Sequence, residues 1–495
     1  MPATRPSSLA LRSGRRAAWL IAGALFFSFA YFYQGTGWNQ NSHFDLARVL
    51  VEQHTVCIDR YQAGTGDKAF YQGHYYSDKA PGLSLTAFPA VAAGWPLARA
   101  LGVRPRDAAQ VQLYLAALLT CSLGIALAAA VLFLMLLQWN VSASAAALAA
   151  IVFGVGTPMW VYATQFWGHA LASACLVFAF AAADHLRHSA TLRWRIALAA
   201  AVGLSAGWAV VTEYPAAIPA LWIGLMALFH CRRAMPERRT FFYPAAALCV
   251  TALMCLAVIL VYQNAAFGSP FRLGYEYVVN YQETLRHGAL GLSYPRLHPL
   301  AALLFGKRCG LLLFAPILVV APLGVWRLWR AGLPRFGLAV AAAIALYYLL
   351  FNASYLYWEA GSSFGPRYLS PGLPFACLFV APVWQWAKPA LKGVLAALAA
   401  FGLAVAFAGV ATHPVISETV RFPIATALPA LARGELYQQG GAWNLGQLAG
   451  LHGWASLAPL IGGWVIALSL GRRLAARAPT MPDTAARRVS TAPDR

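Results

Sequence analysis

The chain alternates long apolar runs with short polar segments, and runs of about 16 to 25 residues recur along almost its whole extent. Each is long enough, or nearly so, for a helix to cross a hydrocarbon core about 30 Å thick. The pattern predicts twelve spans, at 17–34, 109–137, 143–162, 169–186, 196–212, 215–230, 241–263, 309–326, 336–351, 369–387, 391–411 and 456–471. A thirteenth stretch, 83–101, is also long enough to cross but carries Pro89, Gly94 and Pro96. No soluble domain of ordinary size fits between the runs.

The distribution of charge decides that stretch. With 83–101 lying in the outer interface, the inner segments are the N-terminus, 187–195, 232–239, 327–335, 388–392 and the C-terminal tail. These hold 22 of the 37 Lys and Arg but only Asp184, Glu237, Asp483 and Asp494 of the 16 acids, a net of +18 inside against +3 outside. If 83–101 crossed fully, every later basic loop would face outward, against the positive-inside rule. The expected protein is therefore all-α and polytopic, with about twelve transmembrane helices and both termini cytoplasmic. It divides into a basic N-terminus (1–16), a transmembrane domain (17–472) and a basic tail (473–495) expected to be disordered. The outer segments 35–108, 264–308, 352–368 and 412–455 are the long ones and hold most of the acids, which puts the chemistry outside.

Composition agrees: 60% of residues are hydrophobic and 11% charged, against roughly 25% charged in soluble domains. The formal charge of +21 does not point to nucleic acid, because Lys and Arg sit in short loops rather than on one arm or face. The run Ala17–Tyr33 lacks a small-residue cleavage site and reads as a retained signal-anchor. Most of the eight Cys fall in apolar runs, no C-x-x-C spacing occurs, and only Cys57 and Cys309 lie in outer loops, where a single disulfide is conceivable.

The densest polar chemistry is Asn39-Gln40-Asn41-Ser42-His43-Phe44-Asp45-Leu46-Ala47-Arg48, directly after the first span; Asp45 and Arg48, three apart, share a helix face. Then comes Gly73-His74-Tyr75-Tyr76-Ser77-Asp78-Lys79-Ala80-Pro81-Gly82, a turn whose Pro suits the start of a helix. Each segment alone reads equally as a surface ion pair or a turn. In combination they give a membrane-exit acid, a cation beside a second carboxylate, and an interfacial helix alongside any lipid substrate.

In that order, the two segments and the helix resemble the GT-C superfamily of polyprenyl-phosphate-sugar-dependent glycosyltransferases, most of all the lipid A aminoarabinose transferases and protein O-mannosyltransferases. The resemblance covers the N-terminal half in topology and only these motifs in identity. Phe44-Asp45-Leu46 lacks the family's usual paired acid, and Lys79-Ala80-Pro81-Gly82 lacks one Pro and the Leu. The resemblance implies a bacterial inner-membrane enzyme with its site facing the periplasm. A polyprenyl-phosphate-linked donor would pass its sugar to a lipid, glycan or protein acceptor by inverting displacement, with Asp45 as general base. It also implies a polar residue where the third span emerges, and His169 is the nearest ionisable candidate.

Further substrate-binding candidates are Arg48, Tyr76, Asp78, Lys79, Glu213, Lys307, Arg308, Glu359 and Arg367. Glu213 lies between two short spans, where an acid is costly unless paired or wetted. Arg367 carries a planar fork suited to phosphate, and Lys307-Arg308 sits where cations equally meet lipid headgroups. A divalent metal, if one is used, has Asp45 and Asp78 as candidate ligands. The competing reading is a transporter or lipid flippase using the same charges to bind cargo, although no internal repeat relates two halves of the chain; a non-catalytic assembly protein is a third.

Overall fold

The computed structural model describes residues 8–104, 107–189, 191–235, 237–332, 335–437 and 441–476; the first seven residues and the tail from 477 lie outside it. Among the described residues, eight helices are long and apolar enough to span a bilayer. They are Ala108–Gln138, Gly168–His188, Leu192–Thr212, Tyr214–Ala234, Arg239–Phe267, Arg335–Ser354, Pro389–Thr412 and Gly453–Ala476. Each coincides with an expected run, and the chain is a multi-pass membrane protein.

The four other expected spans are shaped differently. Residues 17–30 of the first expected span belong to helix Ser8–Ala30, after which Phe32–Tyr33 pairs antiparallel with Trp443–Asn444, tying the first exit to the last long loop. The remaining three are interrupted. Helix Ala143–Val155 stops before Pro158 and resumes as Met159–Ala163. The run 309–326 divides at Pro316 into Leu311–Phe314, Pro316–Val320 and Ala321–Arg330. The run 369–387 divides into Arg367–Gly372, Leu373–Leu378 and Val380–Trp386. Proline removes a ladder N–H and clashes with the preceding turn, and such breaks survive at membrane depth where protein surrounds them.

Helix packing relies on small residues. Gly203 and Gly207 stand four apart on Leu192–Thr212, where a Cβ on Gly203 would run into the Leu248 carbonyl and one on Gly207 would lie 2.7 Å from the Cys255 Cβ. Helix Arg239–Phe267 therefore crosses at backbone contact distance, as small-xxx-small pairs permit.

The first loop begins with helix Trp38–Glu52 and ends with helix Gly82–Ala100, which holds Pro89 and Pro96 internally. Between them lies a hairpin absent from the all-α expectation: Lys68–Tyr71 pairs with His74–Ser77 in the register Lys68↔Ser77 and Tyr71↔His74. Its two-residue turn, Gln72-Gly73, has positive φ at both positions (50° and 88°), the geometry that matches strand twist. Leu46, Val49, Ile58, Ala69 and Tyr76 pack with Tyr262, Ala266 and Phe267 at the end of a spanning helix, fixing the loop to the bundle.

Gly203→Val should overpack the crossing and cost about 2 kcal/mol or more. It should lower the unfolding midpoint in detergent, while Gly224→Ala, whose added methyl meets open space, should leave that midpoint unchanged.

Candidate functional site

The hairpin register places the site's first charges. With Lys68 opposite Ser77, the next residues out are Asp67 and Asp78, so two carboxylates emerge side by side at the open end. Like charges on neighbouring strands repel, and Lys79 bridges them: its Nζ lies 3.0 Å from Asp67 Oδ2 and 3.1 Å from Asp78 Oδ2. Helix Trp38–Glu52 supplies Ser42, whose Oγ is 2.8 Å from Ser77 Oγ and donates to Asp78 Oδ1 at 3.3 Å. The two motifs read from the sequence thus meet through Ser42 and Asp78, with Asp45 one helical turn beyond Ser42.

All three charges are largely withdrawn from solvent. Burial opposes the Lys79 charge, but Asp67 and Asp78 outweigh it and hold the ammonium well above its ordinary value. Burial likewise works against Asp67, whose carboxyl Lys79 nonetheless keeps below the usual range, while burial prevails at Asp78 and raises it. One cation so secures one firm carboxylate and one that takes a proton more readily.

Around this centre the chain gathers groups from distant segments. His43, fully enclosed, has its imidazole pushed down to about 3 by burial, so it is neutral, and it feels Glu213, Lys79, His169 and Asp67. Glu213 occupies the single-residue break between two spanning helices, and its Oε1 is 2.9 Å from His169 Nδ1. Gly168 leaves room for that carboxylate, since a Cβ there would run into Glu213 Oε1 and would push the side chain aside. Arg367 sits 4.9 Å from both the Trp167 and Tyr368 ring centroids, donates to Tyr368 Oη at 3.1 Å, and interacts with Asp67. Its Nε is buried with no partner.

Asp45 is 5% exposed, and its Oδ2 is buried without a hydrogen bond. Burial raises its carboxyl to about 7, with Arg48 opposing. Arg48 does not pair with Asp45: it lies 3.3 Å from Glu52, one turn further on, and stacks over Tyr61 at 3.8 Å. Tyr76 is packed on Phe267 in the hairpin's apolar layer. Arg308 binds the carbonyls of Ser417, Val420 and Gly361, joining two loops, whereas Lys307 and Glu359 are exposed. Cys57 and Cys309 are both free thiols.

Asp45 and Asp78 do not fit a shared cation. Asp78 already engages Lys79 and Ser42, and an ammonium at that distance repels a divalent ion. Among the described residues, neither acid belongs to a group of three or more His, Cys, Asp or Glu donors close enough to share one.

Sequence reading missed Asp67 and passed over His43. The signal for Asp67 was the Gln72-Gly73 turn, which implies a hairpin and so places Asp67 opposite Asp78.

No protein-family model matches this chain, and no curated protein matches it in sequence. Among solved structures, it resembles ArnT from Cupriavidus metallidurans bound to undecaprenyl phosphate, with TM-score 0.52 and 16% identity over 93% of this chain and 76% of that one. The apo form of ArnT from the same organism matches with TM-score 0.50 and 16% identity, over 92% of this chain and 74% of that one. The chain therefore shares its overall fold with those ArnT structures, as its first-loop motifs lead one to expect.

Lys79→Met, which strands two buried acids, should destabilise the protein by roughly 3–5 kcal/mol. Adding Asp67→Asn and Asp78→Asn should restore most of that loss, as read from thermal unfolding in detergent.

Proposed function

We propose that this protein is a membrane glycosyltransferase that takes a sugar from a polyprenyl-phosphate carrier and passes it to a lipid, glycan or protein acceptor at the periplasmic face of the bacterial inner membrane. The observation that carries the reading is the enclosed assembly of Asp67, Lys79, Asp78, His43, Glu213, His169 and Arg367 within a fold shared with ArnT. One of those ArnT structures holds undecaprenyl phosphate, the class of carrier proposed here.

The reaction needs a base for the acceptor hydroxyl and a positive counterpart for the departing phosphate. Asp45 suits the first role: its unpartnered Oδ2 has no competing donor, and a carboxyl near 7 is balanced between accepting and releasing a proton at neutral pH. Attack by the acceptor opposite the leaving phosphate inverts the anomeric centre.

Arg367 is better placed than Lys79 to receive the phosphate. Lys79 is neutralised by two carboxylates, whereas Arg367 lies 4.9 Å from two aromatic ring centroids and has an unused Nε donor. Lys79 then organises the pocket, and the His169–Glu213 pair holds the neighbouring wall.

Purified protein incubated with labelled polyprenyl-phosphate sugars should release free polyprenyl phosphate as the acceptor gains label. A transporter or flippase would move the intact carrier without cleaving it. Transfer should rise with pH through an apparent pKa near 7, because the carboxylate form of Asp45 is the active one. Asp45→Asn should lower kcat by about 10²–10⁴-fold with little change in KM; full activity in a folded Asp45→Asn protein removes Asp45 from the role.

A further inference from the structure

A second donor cluster lies on the first loop, outside the site described above. Cys57, Asp59 and His74 each offer one ligand atom, a thiol sulfur, a carboxylate oxygen and a ring nitrogen, and all three atoms lie within 4.8 Å of one another. Cys57 is partly exposed, and Asp59 and His74 are open to solvent.

The backbone fixes these side chains. Residue 57 bridges Tyr76, and Ile58 N–H donates to the Tyr75 carbonyl at 2.8 Å, so the segment lies as a short third strand against His74–Ser77. Asp59 Oδ1 accepts the Tyr75 N–H at 2.6 Å, while its Oδ2 lies 2.7 Å from His74 Nδ1. One carboxylate oxygen is thereby anchored to the backbone, and the other points at the imidazole beside the thiol. Tetrahedral coordination by sulfur at about 2.3 Å and nitrogen or oxygen at about 2.0–2.2 Å requires donors roughly 3.5 Å apart. The three donor atoms already lie within 4.8 Å of one another, with Asp59 Oδ2 and His74 Nδ1 at 2.7 Å.

We propose that Cys57, Asp59 and His74 form a binding site for a borderline-soft divalent transition ion of the zinc class, with water completing the coordination. The donor set decides the class. Mg²⁺ and Ca²⁺ take oxygen ligands, whereas a thiolate with an imidazole selects zinc and its neighbours. Binding expels the Cys57 S–H proton to solvent, because the thiolate is the ligand. The ion would staple residues 57–59 to the strand that runs directly into Asp78 and Lys79, stiffening the loop that carries the main site. The site stands whether or not the protein transfers sugars.

The test uses the full-length, tag-free protein in detergent, reduced and stripped of metal with a chelator, then titrated with Co²⁺. One Co²⁺ per chain should bind with a near-ultraviolet thiolate-to-cobalt charge-transfer band, and Zn²⁺ should displace it. Cys57→Ser should abolish the band and His74→Ala should weaken it, while Cys249→Ser, which removes an exposed thiol on helix Arg239–Phe267, should leave it intact. Saturating Zn²⁺ should raise the unfolding midpoint of the wild type but not of Cys57→Ser. The proposal is overturned if the wild type shows no thiolate band at stoichiometric Co²⁺, or if the band persists in Cys57→Ser. Because the wild-type spectrum reports thiolate ligation directly, the outcome does not depend on any variant folding.

Discussion

Much of this structure depends on one cation. Two carboxylates and an ammonium withdrawn from water each carry a desolvation cost of several kcal/mol, and only their mutual placement offsets it. Lys79 can bridge Asp67 and Asp78 only if the hairpin holds its register. The hairpin in turn needs the apolar patch it shares with helix Trp38–Glu52 and with Tyr262, Ala266 and Phe267. The loop cannot slip by a residue without stranding a charge, since such a shift would turn every strand side chain to the opposite face. Charge compensation and strand register therefore specify the same loop conformation.

That dependence explains how much could be read from the sequence. Spanning helices announce themselves by run length, and eight of the expected runs became uninterrupted spanning helices. The breaks at Pro158 and Pro316 were also visible, but an apolar run has the length of a span whether or not proline divides it; the prolines needed to be weighed along with the run length. Asp45, Asp78 and Lys79 stood out because they occur in dense polar segments. Asp67 did not, since Thr65-Gly66-Asp67-Lys68 reads as an ordinary loop until strand pairing sets it against Asp78.

Other groups depended on tertiary folding. That Glu213 faces His169 follows from packing between helices 44 residues apart, which no local spacing encodes. Arg308 looked like a phosphate ligand because outer cations near a lipid carrier invite that reading, yet its two terminal amino groups are used on the carbonyls of two loops. Arg48 seemed destined for Asp45 by its i,i+3 spacing, but Glu52 at i+4 and the Tyr61 ring provide better contacts. In each case residue type was a sound guide and partner identity was not, because partners are chosen by the fold.

The joint at Glu213 carries a further implication. A single extended residue separates Leu192–Thr212 from Tyr214–Ala234, leaving no slack between the helices to absorb a change in their inclination. Helices in bilayers adjust to hydrocarbon thickness chiefly by tilting, and any such tilt raises or lowers this carboxylate along with the helix ends. The acyl-chain length of the surrounding lipid is therefore a mechanical input to the site's geometry, transmitted through one residue of backbone.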